Sequence, residues 1–369
     1  MVWIHGGSYL FRSGSDIIQR PDYLLAKEII VVSINYRLGA FGLFHKAILQ
    51  SGVSTCHWVI KETQQEVISF KLASLLGNDS KDPEEIVEFL RTIPADEIVK
   101  AQHQILTLEG YMNPHFLPMI DNDVKRPLFP HPIHQLVNDD NDIPIIVDYT
   151  SHECLLFLTD SSENHLNMIY EYELPNHVRR VGNLQDPVKI SQLTERVKQW
   201  YFNGKPCTEN SVPSIIQCMS DFYMNIPTTE FVNSRRKKKG AVTYFYKFSY
   251  IGDQTTTKHI MMDDKVPMTD NCIMCKILSY VKFQLFASLY KVNDPQPPAI
   301  GTRDRKVVEA LTSMWTNFVK SGNPTPASDQ NVTATWLPAT ADALNYLEIN
   351  DALQCARITD YTNIFQESD

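Results

Sequence analysis

The sequence contains no run approaching the ~20 apolar residues of a transmembrane helix, so it has no membrane span. Basic residues are in deficit. The 34 lysines and arginines against 43 aspartates and glutamates leave a net charge of -9, which argues against the basic face that a nucleic-acid partner requires. The seven cysteines are an odd count in a long chain, which is no disulfide framework. Cys272 and Cys275 form a C-x-x-C. No second pair stands at zinc spacing and no thioredoxin-like context surrounds them, so they read as two cysteines on an ordinary segment. Glycine is sparse, with 14 in 369 residues, and no two glycines are four positions apart. G-x-S-x-G is therefore absent everywhere, and with it the strained strand-to-helix turn that exposes a nucleophilic serine. Internal repeats and low-complexity tracts are absent too.

What remains is the composition of a folded protein, 43% hydrophobic and 21% charged, with ample apolar surface to offset chain entropy. Residues 1–5 read as a short buried strand ending in Gly6-Gly7. Residues 29–36 (IIVVSINY) are a β-branched run of the kind covered on both faces. Residues 45–50, 143–148, 241–250 and 344–348 read as further strands, and 61–76, 83–92, 187–202, 212–235 and 303–320 as helices. Asp82-Pro83 starts the second of these helices and Gly322-Asn-Pro324 stops the last. The basic run Arg235–Lys239 before Gly240 reads as a solvated helix end and turn. Strands alternating with helices argue for an α/β fold with a largely parallel sheet. The helix-rich stretch from about 155 to 240 reads as a cap, and no linker divides the chain, so residues 1–369 form one domain. Asn78 and Asn331 head N-x-S/T sequons compatible with secretion. The chain starts in mid-strand, so any secretory leader lies outside it and the compartment stays open.

The first motif with chemistry is His5-Gly6-Gly7-Ser8-Tyr9 directly after a strand. Glycines there let the backbone turn sharply and aim N–H groups at one point, the geometry that holds a developing oxyanion in acyl transfer. With this motif the chain resembles the type-B carboxylesterases, the group of cholinesterases, juvenile hormone esterases and detoxifying esterases. The resemblance runs on in family order through Ser33–Gly42, Leu43–Gly52, Phe116–Asp121 (F-x-P-x-x-D), Pro144–Glu153 and Met314–Pro326. It implies the α/β-hydrolase fold, here as an incomplete, mostly parallel central sheet with flanking helices.

It also implies where the chain departs from the family. The stretch ending Gly39-Ala-Phe-Gly42 is followed in the family by a helix, the elbow strand, the serine and another helix. Here it runs straight into Leu43, so the resemblance implies a missing block at about 42–43 as well as a missing N-terminal part. Gly6, Gly7 and Ser8 match the oxyanion loop, with Ser8 at the third glycine. Ser51 matches a residue beyond the nucleophile helix, and neither serine stands on an elbow. Glu153 matches the triad acid, which would hold the imidazole in its working tautomer, with Cys154 where the family has glycine. The histidine position falls on Asp270, and a carboxylate cannot take over the proton relay of an imidazole near neutral pH. His259, before Asp263-Asp264, is the alternative base.

The resulting expectation is a carboxylesterase-family chain without a nucleophile and inactive as it stands. Two alternatives stay open: a non-catalytic adhesion relative of the neuroligin type, and a defective product of a locus encoding an active esterase. The family's partner is a small carboxylic ester, with no metal or organic cofactor implied and oligomeric state open. Loss of a central strand would leave the strands at 1–5 and 29–36 without a partner and expose edges that favour aggregation.

Overall fold

The computed structural model describes residues 1–4, 21–34, 45–59, 65–109, 117–121, 125, 127, 129–136, 142–154, 162–182, 184–238, 240, 242–250, 298–327 and 329–359. The expected strands are present as β1 (Val2–Ile4), β2 (Val32–Ile34), β3 (Ala47–Leu49), β4 (Ile145–Thr150), β5 (Thr243–Phe248) and β6 (Leu344–Ile349). A further strand, β7 (Leu353–Ile358), pairs antiparallel with β6, a hairpin not expected from the sequence. The helices are α1 (Asp22–Leu25), α2 (Gln65–Leu75), α3 (Pro83–Thr92), α4 (Ala95–Glu109), α5 (Ile133–Leu136), α6 (Glu163–Met168), α7 (Leu174–Val181), α8 (Pro187–Phe202), α9 (Val212–Ser220), α10 (Ile226–Arg235) and α11 (Arg303–Ser321).

The strands form a five-stranded sheet, β3-β4-β5-β6-β7, and a separate pair, β1-β2. All pairings are parallel except β6–β7. β1 and β2 partner each other, so the expectation that the strands at 1–5 and 29–36 both flank a gap needs correction. Among the described residues β1 and β2 are paired only with each other, and β3 with β4 alone.

β4 and β5 lie inside the sheet and are almost wholly buried, because helices cover both faces. Their side chains alternate between two cores. Ile145, Val147 and Phe245 face the core built with α6–α10. Ile146, Tyr244, Tyr246 and Phe248 face the core of α11, with Trp315 at its centre. The short N-terminal sheet shares this second core through Trp3, and α1 does so through Leu24.

α11 is anchored to both sheets. Lys27 Nζ donates to Ser313 Oγ at 3.0 Å, Lys320 Nζ to the Lys27 carbonyl at 3.1 Å, and Lys46 Nζ to the Val319 carbonyl at 3.1 Å. Thr302 caps its N-terminus by accepting from the Arg305 N–H, and Gly322 ends it at φ 82°, a left-handed turn that glycine adopts at little cost.

The helical layer differs in one respect from the sequence reading. Residues 212–235 are not one uniform helix: α9 and α10 are joined by a π-helical turn, Asp221–Asn225, and α6 and α7 by another, Ile169–Glu173. Each turn is followed within two residues by a proline, Pro175 or Pro227. Proline has no N–H for the carbonyl four residues back and its ring crowds that carbonyl, so the helix widens locally. The basic run is also not simply solvated. Arg235 is buried and donates from Nη2 to the Ile143 carbonyl at 2.8 Å, while Arg236 Nη1 reaches the carbonyls of Thr340 and Ala341. The Gly240 turn is as expected, at φ 89°.

Candidate functional site

In an open parallel sheet the ligand site lies beyond the carboxyl ends of the strands. Here the carboxyl ends of β3, β4 and β5 gather Gln50, Ser51, Asp148, Thr150, Glu153, Tyr246 and Ser249. Glu153 stands in the turn directly after β4. It is 3% exposed, and its Oε1 accepts the Thr150 N–H at 2.6 Å. A buried carboxylate held by a backbone donor has a fixed orientation. The next residue, Cys154, donates its backbone N–H to Ser220 Oγ at 2.9 Å and ties this turn to α9.

Ser51 follows β3 with φ 49°, and Gly52 has φ 148°. A left-handed backbone at a non-glycine residue is strained, and such strain clusters at functional turns. Its backbone N–H donates to Asp148 Oδ1 at 2.8 Å. No histidine among the described residues hydrogen-bonds its hydroxyl.

Asp148 was not singled out from the sequence. It interrupts the apolar run Ile143–Val147 on a strand buried from both sides, which was the available signal. Burial, above all, pushes its carboxyl up to about 7, against the hydrogen bonding that favours the charged form. In register it lies opposite Tyr246. The Tyr246 hydroxyl faces this carboxyl without a hydrogen bond of good geometry, and Asp148 Oδ2, Gln50 Nε2, Thr150 Oγ1 and Ser249 Oγ are likewise buried and unbonded among the described residues. This end of the sheet is therefore unusually polar for a buried place.

The cysteines nearby do not serve as nucleophiles. Burial pushes the Cys56 thiol up to about 12, with the Glu153 charge adding to it, and Cys154 and Cys218 are raised well above the ordinary value. Such thiols stay protonated and inert. Ser151 Oγ lies 2.8 Å from Nδ1 of the adjacent His152, whose pKa is lowered by burial and by the Lys247 charge.

Of the residues singled out from the sequence, the structure brings Glu153 and Ser51 to the same end of the sheet. Gly6, Gly7, Ser8, His259, Asp270, Cys272, Cys275 and the junction at 42–43 lie outside the described residues. Among the described residues no group of three His, Cys, Asp or Glu side chains is arranged to hold a metal ion, and no helix is long and apolar enough to cross a membrane.

Comparison with known proteins bears on this arrangement. Residues 1–44 and 42–364 match the model of the carboxylesterase family. Esterase FE4 of Myzus persicae is 24% identical over 427 residues, which take in 95% of this chain and 71% of that protein. Juvenile hormone esterase of Heliothis virescens is 23% identical over 91% of this chain and 69% of its own length. Among solved structures, juvenile hormone esterase from Manduca sexta, with OTFP covalently attached, superposes with a TM-score of 0.77 at 22% identity. That match covers 96% of this chain and 77% of the other, a likeness of fold.

Proposed function

The chain belongs to the carboxylesterase family, and from that premise we propose that it carries the family's scaffold without an ester-hydrolysing centre. The fold is the α/β-hydrolase fold, and the family acts on carboxylic esters. The observation that carries the reading is in the sequence: no pair of glycines brackets a serine anywhere in the chain, so the elbow that activates a serine in this fold is lacking.

Three further facts support it. The two stretches that match the family model meet at residues 42–44, between β2 and β3. The match to esterase FE4 is 427 residues long although it draws on 95% of this chain of 369, so the relative has residues with no counterpart here. β1 and β3, the strands on either side of that junction that share the α11 core, are joined to no common strand among the described residues.

On this reading residues 1–369 are a single domain that lacks a block at about 42–43. Glu153 is the retained triad acid, Asp270 stands at the base position with His259 as the alternative, and Gly6, Gly7 and Ser8 are the remains of the oxyanion loop. An acid alone does no chemistry: it orients an imidazole that must take a proton from a serine. Loss of serine and base together leaves at most the small residual rate of a binding site.

The test is hydrolysis of p-nitrophenyl acetate by the purified chain. The expected result is no burst and a rate that Glu153→Gln leaves unchanged. A burst stoichiometric with protein, abolished by Glu153→Gln, would overturn the reading.

A further inference from the structure

Above the loop that follows β3, a second polar cluster joins the sheet to the helical layer. The His57 side chain is partly buried, and among the described residues neither of its ring nitrogens, both closed to solvent, has a hydrogen-bond partner. Its ring packs against Tyr223 of the second π turn, centroids 4.8 Å apart, and lies 6.4 Å from His177 of α7. The Tyr223 hydroxyl is 3.1 Å from His177 Nδ1, and His177 Nε2 is 3.9 Å from Glu173 at the end of the first π turn. Two hydrogen bonds close the same junction. The Trp58 indole N–H donates to the Tyr223 carbonyl at 3.0 Å, and Thr55 Oγ1 to the Pro227 carbonyl at 3.4 Å. The first is possible because Pro227, four residues on, offers that carbonyl no N–H.

We propose that this junction is an acid-sensitive latch, which holds α6–α10 against the loop of residues 51–59 at neutral pH and releases them when His57 and His177 take up protons. The charges around the two rings set the direction. Arg180 on α7 faces both and opposes a further positive charge. Glu173 faces His177, and His165 of α6 and Arg180 in turn face Glu173. Tyr223 and Cys154, the remaining groups on the packed elements, are neutral, because burial raises both. Among the described residues His177 therefore has one carboxylate, Glu173, to receive its proton's charge, and His57 has none.

The sign follows from linkage. Burial lowers His57 to about 3 and lowers His177 as well. A histidine depressed in the closed state and ordinary in the open one contributes full stability above its open-state pKa of about 6.5 and loses it as pH falls. Between pH 7.5 and 5, a ring at about 3 in the closed state and about 6.5 in the open one favours opening by about 30-fold, and His177 acts in the same direction.

Amide hydrogen exchange on the full chain, corrected for intrinsic rates, tests this. In α7, α9 and α10 protection is expected to fall by about 30-fold or more from pH 7.5 to 5. The core strands β4 and β5 should change far less, and His57→Phe should remove much of the drop. Equal pH dependence in wild type and His57→Phe, or unchanged protection of these helices, would overturn the latch. If His57→Phe does not yield folded protein, the histidine ring signals of the wild-type chain decide. A His57 ring that stays neutral at pH 5 in the folded state is expected, and a folded-state titration near the ordinary value would contradict it.

Discussion

The two sheets of this protein are written in similar sequence but end in different surroundings. β4 (IIVDYT) and β5 (TYFYKF) have a strand on each side and helices on both faces, and they bury nearly every side chain. Among the described residues β1 (VWI) and β2 (VSI) pair only with each other. One face reaches the α11 core through Trp3, while Val2, Ile4 and Val32 on these strands are more than two-fifths exposed and Ile30 beside them is 80% exposed. Burial is a property of neighbours as much as of residue type. Val and Ile side chains are buried in one sheet and face water in the other according to what packs against them.

Substitution sets this contrast on a scale. Trp315 sits at the centre of the α11 core and is 1% exposed. Trp315→Ala is expected to cost about 3–5 kcal/mol, as for a large aromatic removed from a packed site. Ile4→Ala is expected to cost no more than about 0.5 kcal/mol. Denaturant unfolding of both variants checks the pair, and comparable losses would break the comparison.

The second effect concerns the buried acid of the better-covered sheet. Asp148 has a carboxyl raised to about 7 in the folded chain. An acid raised on folding contributes stability that is fully present below its unfolded pKa and is lost as pH rises through the folded one. Asp148→Asn keeps an acceptor for the Ser51 N–H and removes the ionisation. It is expected to stabilise the chain by roughly 1–3 kcal/mol at pH 8 and to do little at pH 4. A thermal midpoint followed across that range reads the difference, and the slope is opposite in sign to that of the latch histidines.

A smaller effect sharpens the role of α11 as the element common to both sheets. Thr302 caps its first turn, and Thr302→Ala should cost about 1 kcal/mol. Hydrogen exchange in β1 and β2, which hold to the rest through this helix and its core, should rise more than in β4. Equal change in the two sheets would contradict the shared anchorage.

How far the sequence foretold this fold depends on what each segment's pattern records. Helices α3, α8 and α11 were legible because caps and periodicity agree: Asp82-Pro83 and Asp186-Pro187 at starts, Gly322 at a stop. β4 and β5 were legible as apolar runs. α6 and α7 were read only as part of a helix-rich stretch, without bounds, and α4 was missed, as was β7, whose alternation places the small Cys355 and Ala356 at its centre and gives a weak signal. The π turns were not foreseen because a proline in a helical pattern predicts a break equally well. Of the site, Glu153 was legible only through resemblance, since an isolated glutamate after a strand is ordinarily a solvated turn residue. Asp148, Tyr246, His57 and His177 were invisible in that respect. Their significance lies in being brought together from distant segments, and no local pattern records such a meeting.

The central claim, a carboxylesterase scaffold that lacks its nucleophile, is tested most directly by intact-mass measurement of the purified chain after treatment with a fluorophosphonate. The account predicts an unmodified mass. A single stoichiometric adduct localised to a serine, at Ser51, Ser8 or elsewhere, would contradict it.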